Sequence, residues 1–173
     1  SKALKLTYQP FERPLEHHII SPQLIKEYNN RWFVLGMHHA KQELYVLALD
    51  RIIQIDQSLQ AYQSVASDQV QHHFDHAYGV TIVSGSPVLE IQFEVSQILA
   101  PYMTTKPIHT SQKYLGPSEN REGWHRFSIE VVENYEITHK LLGFGADLVV
   151  ISPEEFRLKV EKMILRIVEN YKR

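Results

Sequence analysis

The sequence predicts an α+β protein in which a small barrel or strongly bent sheet is followed by a ferredoxin-like unit with a C-terminal helix. Three observations carry this. Short apolar runs separated by turn residues fill the chain from Leu4 to Ile55. The periodicity turns from alternating to helical after Asp56. From Val88 to Ile151 the elements then follow in the order strand, helix, strand, strand, helix, strand.

In the first half, Leu4, Leu6 and Tyr8 alternate with polar residues until Pro10 and Pro14 interrupt. His18-Ile19-Ile20 leads into Pro22, and Leu24-Ile25 precedes a turn at Asn29-Asn30. Arg31-Trp32-Phe33-Val34-Leu35-Gly36 reads as a buried strand entered from that turn, with Trp32 and Phe33 building the core. The next run, Leu44 to Leu49, ends in the charged pair Asp50-Arg51, and Ile52, Ile53 and Ile55 form a short last strand. Five short strands of this kind remove free edges by bending or closing. The residues from Asp68, a capping type, to Tyr78 before Gly79 read as a helix. Ser84-Gly85-Ser86-Pro87 reads as a linker. The expected organisation is therefore 1–60 as the β unit, 61–87 as a helical connector and 88–173 as the ferredoxin-like unit.

In the second half Leu89, Ile91, Phe93 and Val95 alternate along a strand. Ser96 can cap a helix through Tyr102, 108–115 reads as extended, 116–123 as a polar turn and 124–132 as a strand. Asn134 can cap a helix that ends near Gly143 or Gly145, and Leu148-Val149-Val150-Ile151 is a buried strand. Ser152-Pro153-Glu154-Glu155 supplies a capping serine, a first-turn proline and acids at the positive helix end. The last helix gathers Phe156, Val160, Met163, Ile164 and Ile167 on one face.

Bulk chemistry narrows the function classes. A net charge of −2 gives no global attraction for nucleic acid, so any such binding needs a local basic patch. Cysteine is absent, which removes disulfides and thiolate metal sites and fits a reducing compartment, expected to be the cytoplasm. No run approaches the ~20 apolar residues that span a bilayer, so no membrane partner is expected. Strand-like sequence begins at Leu4, as in a piece cut from a longer protein.

Ten histidines invite a metal reading. His72 and His76 share a helix face, yet no third ligand follows from the spacing, and His17-His18 and His38-His39 point to opposite faces of strands. Solvated or edge histidines are the simpler reading, and no metal site is expected. Leu142-Gly143-Phe144-Gly145 follows a helix rather than opening one, the reverse of a phosphate cradle. No nucleophile elbow is present and Glu154-Glu155 fits helix-start electrostatics. No catalytic constellation, and no cofactor, is expected.

Cations and rings gather in the first half instead. Tyr8, Lys26, Tyr28, Arg31, Trp32, Tyr45 and Arg51 lie on or beside its strands, the combination a groove for single-stranded nucleic acid or a nucleotide-like ligand uses. The alternative for each is ordinary: Trp32 in the core, Lys26 and Arg31 solvated, Arg51 paired with Asp50 or another acid.

Leu6-Thr7-Tyr8, Ser21-Pro22, Leu24, Arg31-Trp32-Phe33-Val34 and Leu49-Asp50-Arg51-Ile52 resemble, in order and spacing, the WYL domain of bacterial transcriptional regulators. Trp32-Phe33-Val34 stands where that family has Trp-Tyr-Leu. The stretches 105–112 and 149–153 resemble the extension that follows WYL domains. The resemblance implies an Sm-like, SH3-type barrel, an effector-sensing role with nucleic-acid or nucleotide-like ligands, and a homodimer. It also implies operator DNA as a partner, read by a winged helix-turn-helix domain that precedes this segment. By motif match Tyr8, Trp32 and Arg51 line or support the effector pocket, with Ser21, Lys26, Arg31 and Tyr45 completing the candidate site. Ser21, Gln23 and Tyr45 depart from the histidine, tyrosine and basic residue common in the family, which removes a cation and a ring. The competing reading is a protein-interaction or oligomerisation scaffold with no small effector. A hydrolase using the histidines ranks last.

Overall fold

The structure, a computed structural model, describes residues 1–82 and 85–172. The chain divides into two compact units between Phe74 and Asp75. The linker expected at 84–87 begins outside the described residues.

The first unit is one antiparallel sheet of β1 (Lys2–Tyr8), β2 (Glu16–Tyr28), β3 (Arg31–His38), β4 (Glu43–Ala48) and β5 (Ile52–Ala61), in the order β4-β3-β2-β1-β5. Among the described residues no pairing joins β4 to β5, so the sheet is open rather than a closed barrel. Two register shifts between β1 and β5 twist the last strand, and Ile53, Ile55 and Leu59 stay exposed on it.

Strand β2 departs from the sequence pattern most. Pro22 lies inside the strand, which runs through it for 13 residues. Pro22 pairs with Gly36, the next pair is Leu24 with Leu35, and Gln23 is left over as a bulge. A proline cannot donate to the ladder, and a bulge absorbs it without ending the strand. Gly36 permits the close approach, because a Cβ there would lie 3.0 Å from the Ser21 carbonyl and 3.3 Å from Pro22 Cα.

Directly paired residues share a face of the sheet. Ile20 and His38, Pro22 and Gly36, Ile25 and Val34 lie on one face, with Tyr45 and Leu47 beside them. Ser21 and Met37, Leu24 and Leu35, Lys26 and Phe33 lie on the other. The first face carries the small core of Leu6, Tyr8, Ile20, Val34 and Leu47.

Helix α1 (Ser67–His72) is half as long as the spacing predicts and starts from Ala66 rather than Asp68. The expected later turns are lost because the backbone bonds elsewhere: the His76 carbonyl accepts from Val132 N at 2.7 Å, and Ala77 bridges Val132.

The second unit contains β6 (Val88–Val95), α2 (Ala100–Thr105), β7 (Lys113–Pro117), β8 (His125–Val132), α3 (Tyr135–Leu142), β9 (Leu148–Ser152) and α4 (Glu154–Tyr171). Its antiparallel sheet has the order β7-β8-β6-β9. One face, with Ile91, Phe93, Phe127, Ile129 and Val150, packs with Ile137 and Leu141 of α3 and Phe156 and Val160 of α4. On the remaining face the buried Glu94 accepts from Ser118 Oγ at 2.7 Å and from Arg126 Nη2 at 3.0 Å, with Arg121 3.8 Å away. That carboxylate fixes the turn before β8.

Three local expectations change. Side-chain bonds of Gln112 to Ile108 N and the Met103 carbonyl fold 108–112 into turns, so only β7 is extended there. Gly116, expected in the turn, lies within that strand. Ser152 ends β9 instead of capping α4, whose N-cap is Pro153.

Asn134 does cap α3, accepting from Ile137 N at 2.9 Å, and its amide donates to the Tyr78 and Thr81 carbonyls. Glu136 joins it by accepting from Val80 N and Thr81 N. Gly79, at φ +86°, leaves room for that carboxylate, which a Cβ would meet at 2.5 Å. The capping asparagine thus also anchors the segment entering the unit. Asn134→Ala is expected to lose the cap and the two bonds its amide donates to the Tyr78 and Thr81 carbonyls. The cost is about 2–3 kcal/mol in urea unfolding, against ~1 kcal/mol for an ordinary cap.

Candidate functional site

The predicted site residues fall into three places. The first is the end of the sheet where β3 begins and β4 runs into a 3-10 turn at Leu49–Arg51. Here Arg31 Nη2 donates to both Asp50 oxygens, at 2.7 and 3.0 Å. Asp50 is therefore occupied by Arg31, and its sequence neighbour Arg51 turns elsewhere. The Arg51 guanidinium lies 3.8 Å over the ring of Phe11, and Arg31 stands 5.8 Å from the same ring. Arg51 Nε is buried and has no hydrogen-bond partner among the described residues. The guanidinium is thus braced on an aromatic face, with its buried Nε–H unmet.

Phe11 is the residue sequence reasoning missed. It sits in the β1–β2 loop between two prolines, where a lone ring carries no periodic signal, yet it is 66% exposed and forms the floor under Arg51. Trp32 corrects the expectation in the other direction. It lies on the Val34 face but at the strand's open end, and is 56% exposed rather than part of the core. Phe33 is half-buried on the opposite face.

The second place is the buried core face, where Tyr8 pairs with Ile52 and the next residue, Gln9, donates its N–H to the Arg51 carbonyl at 2.9 Å. Tyr8 is buried against His18, with ring centroids 5.6 Å apart, and Tyr45 contacts both His18 and His38. His18 Nδ1 lies 3.0 Å from His38 Nε2, and His18 Nε2 lies 3.1 Å from Glu16 Oε2. Burial holds both imidazoles below their ordinary range, with Glu16 opposing this at His18. Tyr8 and Tyr45 thus have their rings engaged by the core histidines, although the Tyr8 backbone lies beside Arg51.

The third place is the opposite face of β2. Ser21 and Lys26 lie there, on the face opposite Trp32. Ser21 Oγ accepts from Gln63 N at 2.9 Å and bonds His39 Nε2 at 2.9 Å. The bulged Gln23 donates to the Gln63 carbonyl and accepts from Val65 N, while Tyr62 donates to the Pro22 carbonyl. Residues 62–65 therefore cross β2 as a strap. Lys26 Nζ stands 3.8 Å over Phe74. Ser21 and Gln23, which depart from the family pattern, are the two side chains that hold this strap.

Among the described residues no three histidine or acidic side chains converge as metal ligands, and no helix is long and apolar enough to cross a membrane.

Comparison with known proteins follows the same division. Residues 1–57 match the family model of the WYL domain, and residues 87–168 match that of the WCX domain. Proteasome accessory factor B/C (PafBC) of Arthrobacter aurescens is similar at 15% identity and a TM-score of 0.38, covering 92% of this chain and 24% of that one. A CRISPR Cas-related protein is similar at 12% identity and a TM-score of 0.59, covering 98% of this chain and 47% of that one. The chain thus spans less than half the length of either protein, and the second likeness is one of fold alone. No curated protein matches the chain.

The strap makes a direct expectation. Gln23→Ala should expose the Val65 amide to rapid hydrogen exchange while the Gln63 amide, held by Ser21, keeps its protection. The three lost bonds, to the Ser21 and Gln63 carbonyls and from Val65 N, cost about 2–3 kcal/mol of stability, read by exchange mass spectrometry and urea unfolding.

Proposed function

We propose that this chain, which carries a WYL domain followed by a WCX domain, is the effector-sensing and dimerisation region of a cytoplasmic transcriptional regulator. It has no catalytic role and no cofactor in this reading, and operator DNA is contacted by a separate winged-helix domain. The observation that carries it is Arg51, stacked on the exposed Phe11 with an unmet Nε–H and with Arg31 beside it. The effector is a single-stranded nucleic acid or a nucleotide. Arg51 and Arg31 would meet its phosphate, and Phe11 and the exposed Trp32 would offer faces for a base. Ser21, Lys26, Tyr8 and Tyr45 have no direct part in this version of the site. Finer architecture follows the same reading: the order β4-β3-β2-β1-β5 supports an Sm-like arrangement, and β7-β8-β6-β9 a ferredoxin-like one.

Dimerisation is assigned to the second unit. The last turns of α4 leave Ile164, Leu165, Ile167 and Val168 exposed beside a groove of about 630 Å³ lined by Leu141, Leu142, Val149 and Val160. Helix ends of this kind bury well against a second copy. Effector binding would then favour one arrangement of the dimer by a population shift. The alternative scaffold reading draws on the strap, because the chain's own residues 62–65 already occupy Ser21 and Gln23.

Fluorescence anisotropy with short single-stranded DNA, RNA and cyclic nucleotides tests the reading. Saturable binding is expected at low salt, weakened about tenfold by Arg51→Ala and severalfold by Phe11→Ala, with the salt slope reduced by ~0.7 for each phosphate contact removed. Binding unchanged by Arg51→Ala, or none at low salt, leaves the scaffold reading. In light scattering, Ile167→Asp is expected to convert dimer to monomer without unfolding the sheet.

A further inference from the structure

The buried histidines of the first unit have a fixed proton order. The Lys41 backbone N–H, which can only donate, points at His38 Nδ1 at 3.3 Å. His38 Nδ1 is therefore an acceptor, and the ring's one proton sits on Nε2. His38 Nε2–H then donates across 3.0 Å to His18 Nδ1, so the His18 proton also sits on Nε2. That proton is donated to Glu16 Oε2 at 3.1 Å. Every step follows from the one before, and both rings are neutral.

We propose that Glu16, His18, His38 and the Lys41 amide form a one-way hydrogen-bond relay that latches the β3–β4 turn and releases it when one proton is added. A proton added to either ring has no free acceptor between the two rings and the Lys41 amide. Placed on His18 Nδ1, it faces the His38 Nε2–H. If His38 yields by moving its own proton to Nδ1, that proton faces the Lys41 N–H. A proton on Glu16 Oε1 leaves Oε2 accepting from His18, so the relay is broken only by a proton on a ring. The Lys41 amide bond, the longest in the relay, gives way, and the turn at 39–42 is left to the Gln42 N–H on the His38 carbonyl and the Gln42 side chain on the His39 carbonyl.

The surroundings oppose the charged state as well. Tyr8 from β1 and Tyr45 from β4 supply ring contacts, and Lys41 Nζ stands 3.9 Å over Tyr45. Glu43 pairs opposite His38, and His17 flanks His18 on its own strand. Lys41 and His17 disfavour a proton on His18, and Lys41 and His18 disfavour one on His38. Glu16 and Glu43 favour one, and burial outweighs them. His39, next along β3, is held by Ser21 outside the relay. Both rings titrate below their ordinary 6.5 in the folded chain and near it when unfolded. The unfolded chain takes up protons first, so the latch contributes fully above about pH 6.5 and is lost as pH falls through the folded values.

Long-range proton–nitrogen spectra of the whole chain test the order directly. At pH 8 both rings should carry hydrogen on Nε2 alone, and on acidification the two rings and the Lys41 amide should shift together in one transition below pH 6.5. Hydrogen on Nδ1 of either ring, or two independent transitions with the Lys41 amide unmoved, overturns the proposal. A stability series gives a second reading. The urea midpoint of His38→Leu should fall less between pH 7.5 and 5.5 than that of the parent chain, while His17→Gln should follow the parent. An equal fall in His38→Leu overturns the latch. Lys41→Ala, which keeps the amide and removes the ammonium, should preserve the Nε2–H pattern at pH 8, and its loss there also counts against the relay.

Discussion

The close approach of Pro22 to Gly36 governs the first unit. A proline in the middle of a 13-residue strand must break the ladder or be absorbed, and the missing Cβ of Gly36 allows absorption. The cost of one unpaired residue, Gln23, then sets the faces. Before the bulge Ile20 and His18 point to the core, and after it Ile25 takes that face and Lys26 the other. The same bulge aims Gln23 at the connector, where its amide takes both the Gln63 carbonyl and the Val65 amide. One backbone irregularity thus separates the candidate site into parts and ties the strap down.

Two kinds of charge do different work here. Arg31 and Asp50 form an exposed bidentate pair, whose contribution to stability is small in water. Its value lies in taking Asp50 out of reach of Arg51, which leaves that guanidinium free to lie on Phe11. Glu94 is the opposite case, buried and compensated by Arg126, Arg121 and Ser118, so its role is to hold a turn rather than to meet a ligand. The histidine relay belongs with the second kind, since it stores neutral hydrogen bonds in a core too small to spare them.

Much of this was legible in the sequence, and what was not has physical causes. The alternations in 4–8, 88–95 and 124–132 gave their strands, and Asn134 marked its cap, because local pattern and burial agree at those places. The passage of a strand through Pro22 was not legible, because a proline's effect depends on the residue across the ladder, and Gly36 lies 14 positions away. Helix α1 fell short because Ala77 and His76 bond to Val132, a long-range pairing that no window of sequence contains. Trp32 looked like core because its neighbours are apolar, but the end of an open sheet leaves it uncovered. Arg51 was found through the resemblance and the charge pair, whereas Phe11 needed the fold to bring a loop ring beneath it.

The account rests on Arg51 having an unmet donor on an aromatic support. Its most direct test is the arginine Nε–H spectrum of the labelled protein, recorded while a short single-stranded oligonucleotide is titrated in at low salt. The Arg51 Nε–H signal is expected to move saturably as the guanidinium meets the phosphate, while the Val65 amide in the strap stays in place. An Arg51 signal that does not move, with or without a displaced strap, would contradict the account.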